Sequence, residues 1–331
     1  MQGFERRQLL MLAGALLGVE AAIAAEEPAP PPPVDLPEKW RRAPSIALWP
    51  GEAPGASGYR AQPLPAGWSS AYRRNVDKPE MQVFRPRRSN GIAVLVMPGG
   101  AYWFVSVVNE GAELAPRLTA LGYTVFVLTY RLPGEGWASR AEVPLQDAQR
   151  AMRLIRSRAA EFRIDPARVA ALGFSAGGHL AATLATRFDE PAYAAMDAAD
   201  ALDARPFAAA LIYPVVTLRD PWTHEMSRRL LLGENPTAAA IDRRSAELQV
   251  SGKTPPLLLV HAMDDAAVAV ENSLQLLHAV REAGRPVEAH LLQEGGHAFG
   301  IGRAGTPSAL WIELFSAWLK RLAQPALLPT R

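Results

Sequence analysis

A serine with glycine two residues away on either side, Gly173-Phe174-Ser175-Ala176-Gly177, is where this chain first shows a capacity for chemistry. The glycines allow a tight turn that lifts the hydroxyl clear of its surroundings, because side chains at those two positions would collide. A serine hydroxyl is a poor nucleophile near neutral pH, so it needs a base within hydrogen-bond reach and an acid to fix that base's tautomer. On a strand–turn–helix scaffold the chain order expected is Ser, then Asp or Glu, then His.

Six histidines are available for the base. His297 lies in a glycine-rich stretch after the last strand-like run, Glu294-Gly295-Gly296-His297-Ala298-Phe299, and takes the role, with His261 as the alternative. His179 reads as a packed or capping residue on the helix after the serine, and His278 and His290 read as structural. Asp264 and Asp265 both follow the run 257–261. Asp265, four residues after His261 and three before Val268, is preferred as the acid, with Asp264 supporting the turn. Acyl transfer also needs N–H donors aimed at the developing oxyanion. Pro98-Gly99-Gly100-Ala101-Tyr102 follows the apolar run 91–97, so Gly100 and Ala101 are assigned as donors together with Ala176, the residue after the serine.

These residues need a scaffold that delivers them to one edge. From residue 81 onward short apolar runs alternate with amphipathic stretches, the pattern of a parallel sheet wrapped by helices. Strands are expected at 81–84, 91–97, 123–130, 169–174, 208–213, 256–261 and 287–292, and helices at 110–121, 146–162, 177–187, 270–283 and 309–322. Runs such as Ile92-Ala93-Val94-Leu95-Val96 are apolar at successive positions, as in strands covered on both faces. The segment 214–250 contains no strand-like run and is expected to form an excursion over the carboxyl edge of the sheet, where such folds bind ligands.

Composition narrows the function. The 331 residues carry a formal charge of +2, with lysines and arginines scattered rather than gathered in a stripe, which argues against a nucleic-acid partner. Cysteine is absent, which excludes disulfides, a thiolate nucleophile and cysteine-based zinc sites. No His/Asp cluster has metal-ligand spacing, and neither metal nor cofactor is expected.

Residues 1–25 read as an export signal. Arg6 and Arg7 precede an apolar run from Leu9 to Val19, and small residues end at Ala22-Ile23-Ala24. The double arginine also suits the twin-arginine route, and the apolar run is too short for a permanent membrane anchor. Residues 26–39 are a proline-rich tether, and 40–325 form one catalytic domain. A periplasmic or secreted location follows from this reading.

Taken together, the sequence resembles the α/β-hydrolase esterases of the acetyl-xylan-esterase and feruloyl-esterase-like group, BD-FAE-like and related to hormone-sensitive-lipase-type carboxylesterases. The resemblance runs from about Ala47 to the end. It rests on Leu48-Trp49-Pro50-Gly51, Pro98-Gly99-Gly100, Tyr130-Arg131-Leu132-Pro133, Gly173 to His179, His224, Leu231-Leu232-Gly233, Asp265 with Glu271-Asn272-Ser273, and Gly295-Gly296-His297. It implies an α/β-hydrolase fold and cofactor-free hydrolysis of carboxylic esters, often acetyl, on plant polysaccharides or their oligosaccharides. Ala101 stands where the group commonly has a third glycine, Pro98 where the lipases have histidine, and Ala269 where a proline often follows the acid loop. A peptidase or arylformamidase-like amidase using the same residues, and a catalytically silent envelope binding protein, are the competing readings.

Overall fold

A computed structural model describes residues 31–324. The export segment expected at 1–25 and the start of the tether lie outside the described residues, as do 325–331. From Pro33 on the described residues form one compact unit.

Eight strands make its sheet: β1 (Ser45–Ala47), β2 (Glu80–Phe84), β3 (Ala93–Met97), β4 (Thr124–Thr129), β5 (Val169–Phe174), β6 (Ala209–Ile212), β7 (Leu257–Ala262) and β8 (Val287–Leu292). Their order is β1-β2-β4-β3-β5-β6-β7-β8. β1 and β4 each pair antiparallel with β2, and all remaining pairs are parallel. Every residue of β3 to β7 is buried, which is why these strands read as continuous apolar runs rather than alternating ones. The parallel strands point their carboxyl ends to one edge, so the segments after β3, β5, β6, β7 and β8 converge there.

The seven expected strands and the helices Val143–Ser157, Ser175–Thr186, Glu271–Glu282 and Trp311–Ala323 are present, with ends shifted by up to three residues or by a short continuation such as Ala159–Phe162. Three strands were not anticipated. β1 has three residues, and a two-stranded ribbon joins Tyr72–Arg73 to Val105–Ser106, so none is long enough to show a period. The excursion 214–250 holds the helices Glu225–Leu232 and Ala238–Arg244 and no strand.

The helix expected at 110–121 is divided. A wide π turn, Val108–Ala112, precedes the α-helix Leu114–Ala120. Single π turns are rare in helices and gather at functional sites, and this one buries a carboxylate, Glu110, 3% exposed.

Candidate active site

β5 ends in extended backbone at Phe174, and Ser175 then takes φ 50°, a left-handed conformation that costs a non-glycine residue about 1–3 kcal/mol. The surrounding packing imposes it. A Cβ on Gly173 would strike the Gly177 carbonyl, and one on Gly177 would strike the carbonyls of Met97 and Pro98 in the neighbouring strand. The third glycine, Gly178, fits against Pro214, where a Cβ would come within 2.8 Å of that ring. The helix that follows is buried along its whole length.

Ser175 Oγ lies 2.9 Å from His297 Nε2, and His297 Nδ1 lies 2.7 Å from Asp265 Oδ2. The carboxylate accepts the hydrogen bond from Nδ1–H, so Nε2 presents its lone pair to the serine hydroxyl. Asp265 Oδ1 accepts the N–H groups of Ala267 and Val268, both at 2.9 Å. Burial alone would raise this carboxyl, but hydrogen bonds from His261 and His297, the His297 charge and the Val268 N–H outweigh it and hold Asp265 below the usual carboxylate range.

The structure separates the paired candidates. His261 is fully buried and faces Asp265 rather than Ser175: its Nε2 lies 3.0 Å from Val268 O and 3.2 Å from Asp265 Oδ2, and its Nδ1 lies 2.8 Å from Ser273 Oγ. The carbonyl and carboxylate require a proton on Nε2, so the Ser273 hydroxyl donates to Nδ1. Asp264 is exposed and accepts the Gly296 N–H at 2.8 Å, which fastens the loop carrying His297. His278 and His290 sit on the helix Glu271–Glu282 and on β8.

The segment after β3 turns through three left-handed residues, Gly100 at φ 125°, Ala101 at φ 55° and Tyr102 at φ 61°. Its carbonyls from Pro98 to Gly100 and the Gly99 N–H are tied down one by one. Pro98 O accepts the Tyr130 hydroxyl at 2.8 Å, Gly99 N–H donates to Glu110 at 2.5 Å, and Gly99 O accepts the Ser106 N–H at 3.0 Å. Gly100 O accepts from Trp103 and Phe104. Neither Gly100 N–H nor Ala101 N–H has an acceptor among the described residues. Ala176 N–H belongs to the first turn of the helix, where backbone donors lack intrahelical partners.

His179 anchors this loop to the elbow helix. Its Nε2–H donates to Arg244 O at 2.7 Å, which leaves Nδ1 to accept the Tyr102 hydroxyl at 2.8 Å. Burial and the nearby Arg187 press its pKa down to about 3, so the ring is neutral. The single histidine thus joins the loop of Gly100 and Ala101 to the excursion, a role that sequence position alone did not reveal.

On the other side of the site, Asn272 uses all four of its hydrogen bonds. Its Oδ1 accepts the N–H groups of Val216 and Thr217, and its Nδ2 donates to Trp222 O and Ala269 O. The start of the excursion is thereby tied to the acid loop. Among the described residues no group of three or more His, Asp or Glu could hold a metal ion, and no helix is long and apolar enough to cross a membrane.

Set beside known proteins, residues 81–280 match the BD-FAE family. An acetylxylan esterase of Xylanibacter ruminicola is 30% identical over 252 residues, 75% of this chain and 49% of that protein. Endo-1,4-beta-xylanase B of Butyrivibrio fibrisolvens is 34% identical over 225 residues, 68% of this chain and 34% of that protein. This chain therefore spans between a third and a half of the length of those two relatives. Among solved structures, the acetyl ester-xyloside bifunctional hydrolase of Caldicellulosiruptor lactoaceticus superposes with a TM-score of 0.72 at 32% identity, covering 85% of this chain and 97% of that one.

Proposed function

This chain belongs to the BD-FAE family of α/β-hydrolases, and from that premise we propose that it hydrolyses carboxylic esters, acetyl esters on polysaccharide or oligosaccharide substrates foremost, through Ser175, His297 and Asp265. The observation that carries the proposal is the continuous hydrogen-bonded path from Ser175 Oγ through both nitrogens of His297 to a buried carboxylate, with the serine held at φ 50°.

In this mechanism Ser175 Oγ attacks the ester carbonyl carbon while its proton passes to His297 Nε2. The carbonyl oxygen becomes an oxyanion received by the N–H groups of Gly100, Ala101 and Ala176, each such donor typically worth about 10²- to 10³-fold in rate. Asp265 holds the ring's orientation and favours the imidazolium. Collapse of the intermediate breaks the bond to the alcohol, which leaves with the proton from His297. Water then gives a proton to His297 and attacks the acyl-serine, and the acid is released as Ser175 recovers its proton. The acetyl preference is supported by Ala101, whose methyl stands where the family commonly has glycine, and by the names of the relatives. Acetylated xylan is accordingly the first polymer to test.

Replacing Ser175 by alanine should reduce hydrolysis of p-nitrophenyl acetate and acetylated xylan by more than about a thousandfold, since triad members act as a unit. The melting temperature should stay near that of the wild type. A folded variant that retains near-wild-type turnover rules out the assignment. Export is part of the same proposal and rests on the double arginine, the short apolar run and the small residues ending at Ala24. Mass spectrometry of fractionated cells should find an N-terminus near Ala25 or Glu26 outside the cytoplasm, and recovery of intact Met1 in the cytosol would refute it.

A further inference from the structure

One carboxylate beneath the site takes no part in the mechanism above. Both oxygens of Glu110 are engaged, Oε2 by the Gly99 N–H at 2.5 Å and Oε1 by the Tyr213 hydroxyl at 2.8 Å. The Tyr213 oxygen in turn accepts the Gly300 N–H at 3.1 Å. Its ring meets His297 edge-on, with centroids 5.0 Å apart, and meets Phe299 at 4.5 Å. A single buried side chain is therefore connected to the loop of the oxyanion donors directly, and to the loop of the base through one phenol.

Counting protons fixes the charge. Gly99 N–H can only donate, and Tyr213, whose oxygen already accepts from Gly300, has one proton to give and Glu110 to receive it. Both carboxyl oxygens then accept, which satisfies a carboxylate, whereas a carboxylic acid would carry a buried O–H with no acceptor left for it. Burial leaves the Glu110 pKa above the usual carboxylate value, with the Gly99 N–H, the Tyr213 hydroxyl and the His297 charge holding back the rise. A buried charge costs free energy that an amide of the same shape would not incur. Its place one phenol away from an imidazole that becomes cationic in each half of the reaction is what calls for a role.

We propose that Glu110 is a positioning residue for ester hydrolysis: it holds Gly99, and so the donors at Gly100 and Ala101, in register with the His297 loop, and its negative charge stabilises the His297 imidazolium formed as Ser175 gives up its proton. This rests on the ester-hydrolase reading above. The groups facing His297 are Ser175 and Asp265 by hydrogen bond, the Tyr213 ring, and His224 and Glu110 through space. Those facing Glu110 are Gly99, Tyr213, His297 and Tyr130. Asp265 and Glu110 thus place negative charge near the imidazole by two separate elements, one bonded to it and one not.

The test compares wild type, Ser175→Ala, Glu110→Gln and Tyr213→Phe on p-nitrophenyl acetate across pH. Glu110→Gln keeps the shape and an acceptor for Gly99 but removes the charge. It should lower kcat roughly 10- to 100-fold, less than loss of an oxyanion donor at its upper range, with KM within about threefold. The acid limb of kcat/KM should move to lower pH, because an imidazole without its negative neighbour loses its proton more readily. Tyr213→Phe keeps the carboxylate but cuts its link to Gly300, so kcat should fall with KM held and the limb should move less. A folded Glu110→Gln variant with wild-type kcat and an unmoved limb overturns the inference. If that variant does not fold, Tyr213→Phe decides: a fall in kcat with KM held supports the inference, and wild-type kcat overturns it. An inactive wild type would instead sink the ester-hydrolase reading, whereas an active wild type with an inactive Ser175→Ala variant leaves that reading standing whatever Glu110 does.

Discussion

Ser175 and His297, the proposed nucleophile and base, are held by different physical means. Around Ser175 the backbone is locked by packing: β5 and its helix are buried throughout, and both elbow glycines sit where any Cβ would meet a carbonyl. His297, with its side chain 22% exposed, rides on a loop after the sheet-edge strand β8, whose residues are only half-buried or exposed. That loop is held by individual hydrogen bonds, from Gly296 N–H to Asp264, from Gly300 N–H to Tyr213, and from the Trp311 indole N–H to Gly300 O at 3.0 Å. The contrast teaches where damage should appear. Added bulk at the elbow glycines should be felt as lost stability, and a change around the base should be felt as lost turnover in a protein that remains folded.

The largest effect on that comparison is expected at Asp265→Asn. The amide keeps an acceptor for Ala267 and Val268 but leaves His297 in the wrong tautomer, and kcat should fall by about 10³- to 10⁴-fold; its NH2 also faces the His261 Nε2–H, so the folded protein should lose about 1–3 kcal/mol of stability. Steady-state kinetics beside Asp264→Asn would reverse the assignment if the larger loss fell on Asp264. Next comes Gly177→Ala, which forces a methyl onto the carbonyls of Met97 and Pro98. Overpacking of this kind against backbone should cost about 3 kcal/mol of stability, the upper end of the usual range. Urea denaturation showing a near-wild-type midpoint would mean that the elbow is not locked by packing.

A smaller effect is expected at Asp264→Ala, which removes one exposed hydrogen bond to Gly296 worth about 1 kcal/mol. Turnover should fall less than about tenfold and stability by no more than about 1 kcal/mol, and a loss of turnover as large as that of Asp265→Asn would show that the His297 loop depends on this contact alone. The smallest is at Ala101→Gly. Removing the methyl should relax a preference for acetyl over butyryl esters, read as the ratio of kcat/KM values on p-nitrophenyl esters of increasing chain length. A wild type that turns over octanoyl esters as well as acetyl esters would contradict the premise of a narrow acyl site.

Much of this arrangement could be read from the chain because it is local. The buried strands announced themselves as unbroken apolar runs, and Gly173 and Gly177 flank Ser175 within five residues. The pairing of Ser175 with His297 needed only chain order on a known kind of scaffold. What escaped notice depends on strand order. Glu110 meets Tyr213 across 103 residues, Tyr102 meets His179 across 77, and Asn272 reaches Val216 across 56. No period or motif encodes such encounters, although Glu110, the one carboxylate between Phe104 and Ala112, and a tyrosine closing the run 208–213, are signals of buried polar groups needing partners. The π turn was hidden for the same reason, since the partners that hold its carboxylate come from elsewhere in the fold.

The account turns on Ser175 being the residue that becomes acylated, and covalent trapping addresses this without any assumption about substrate. Treatment with a p-nitrophenyl phosphonate ester, followed by peptide mass spectrometry, should give one phosphonyl group per chain on the peptide containing Ser175. The adduct should form much more slowly in Asp265→Asn and not at all in Ser175→Ala. Labelling at another residue, or continued ester hydrolysis with Ser175 unmodified, would contradict the account.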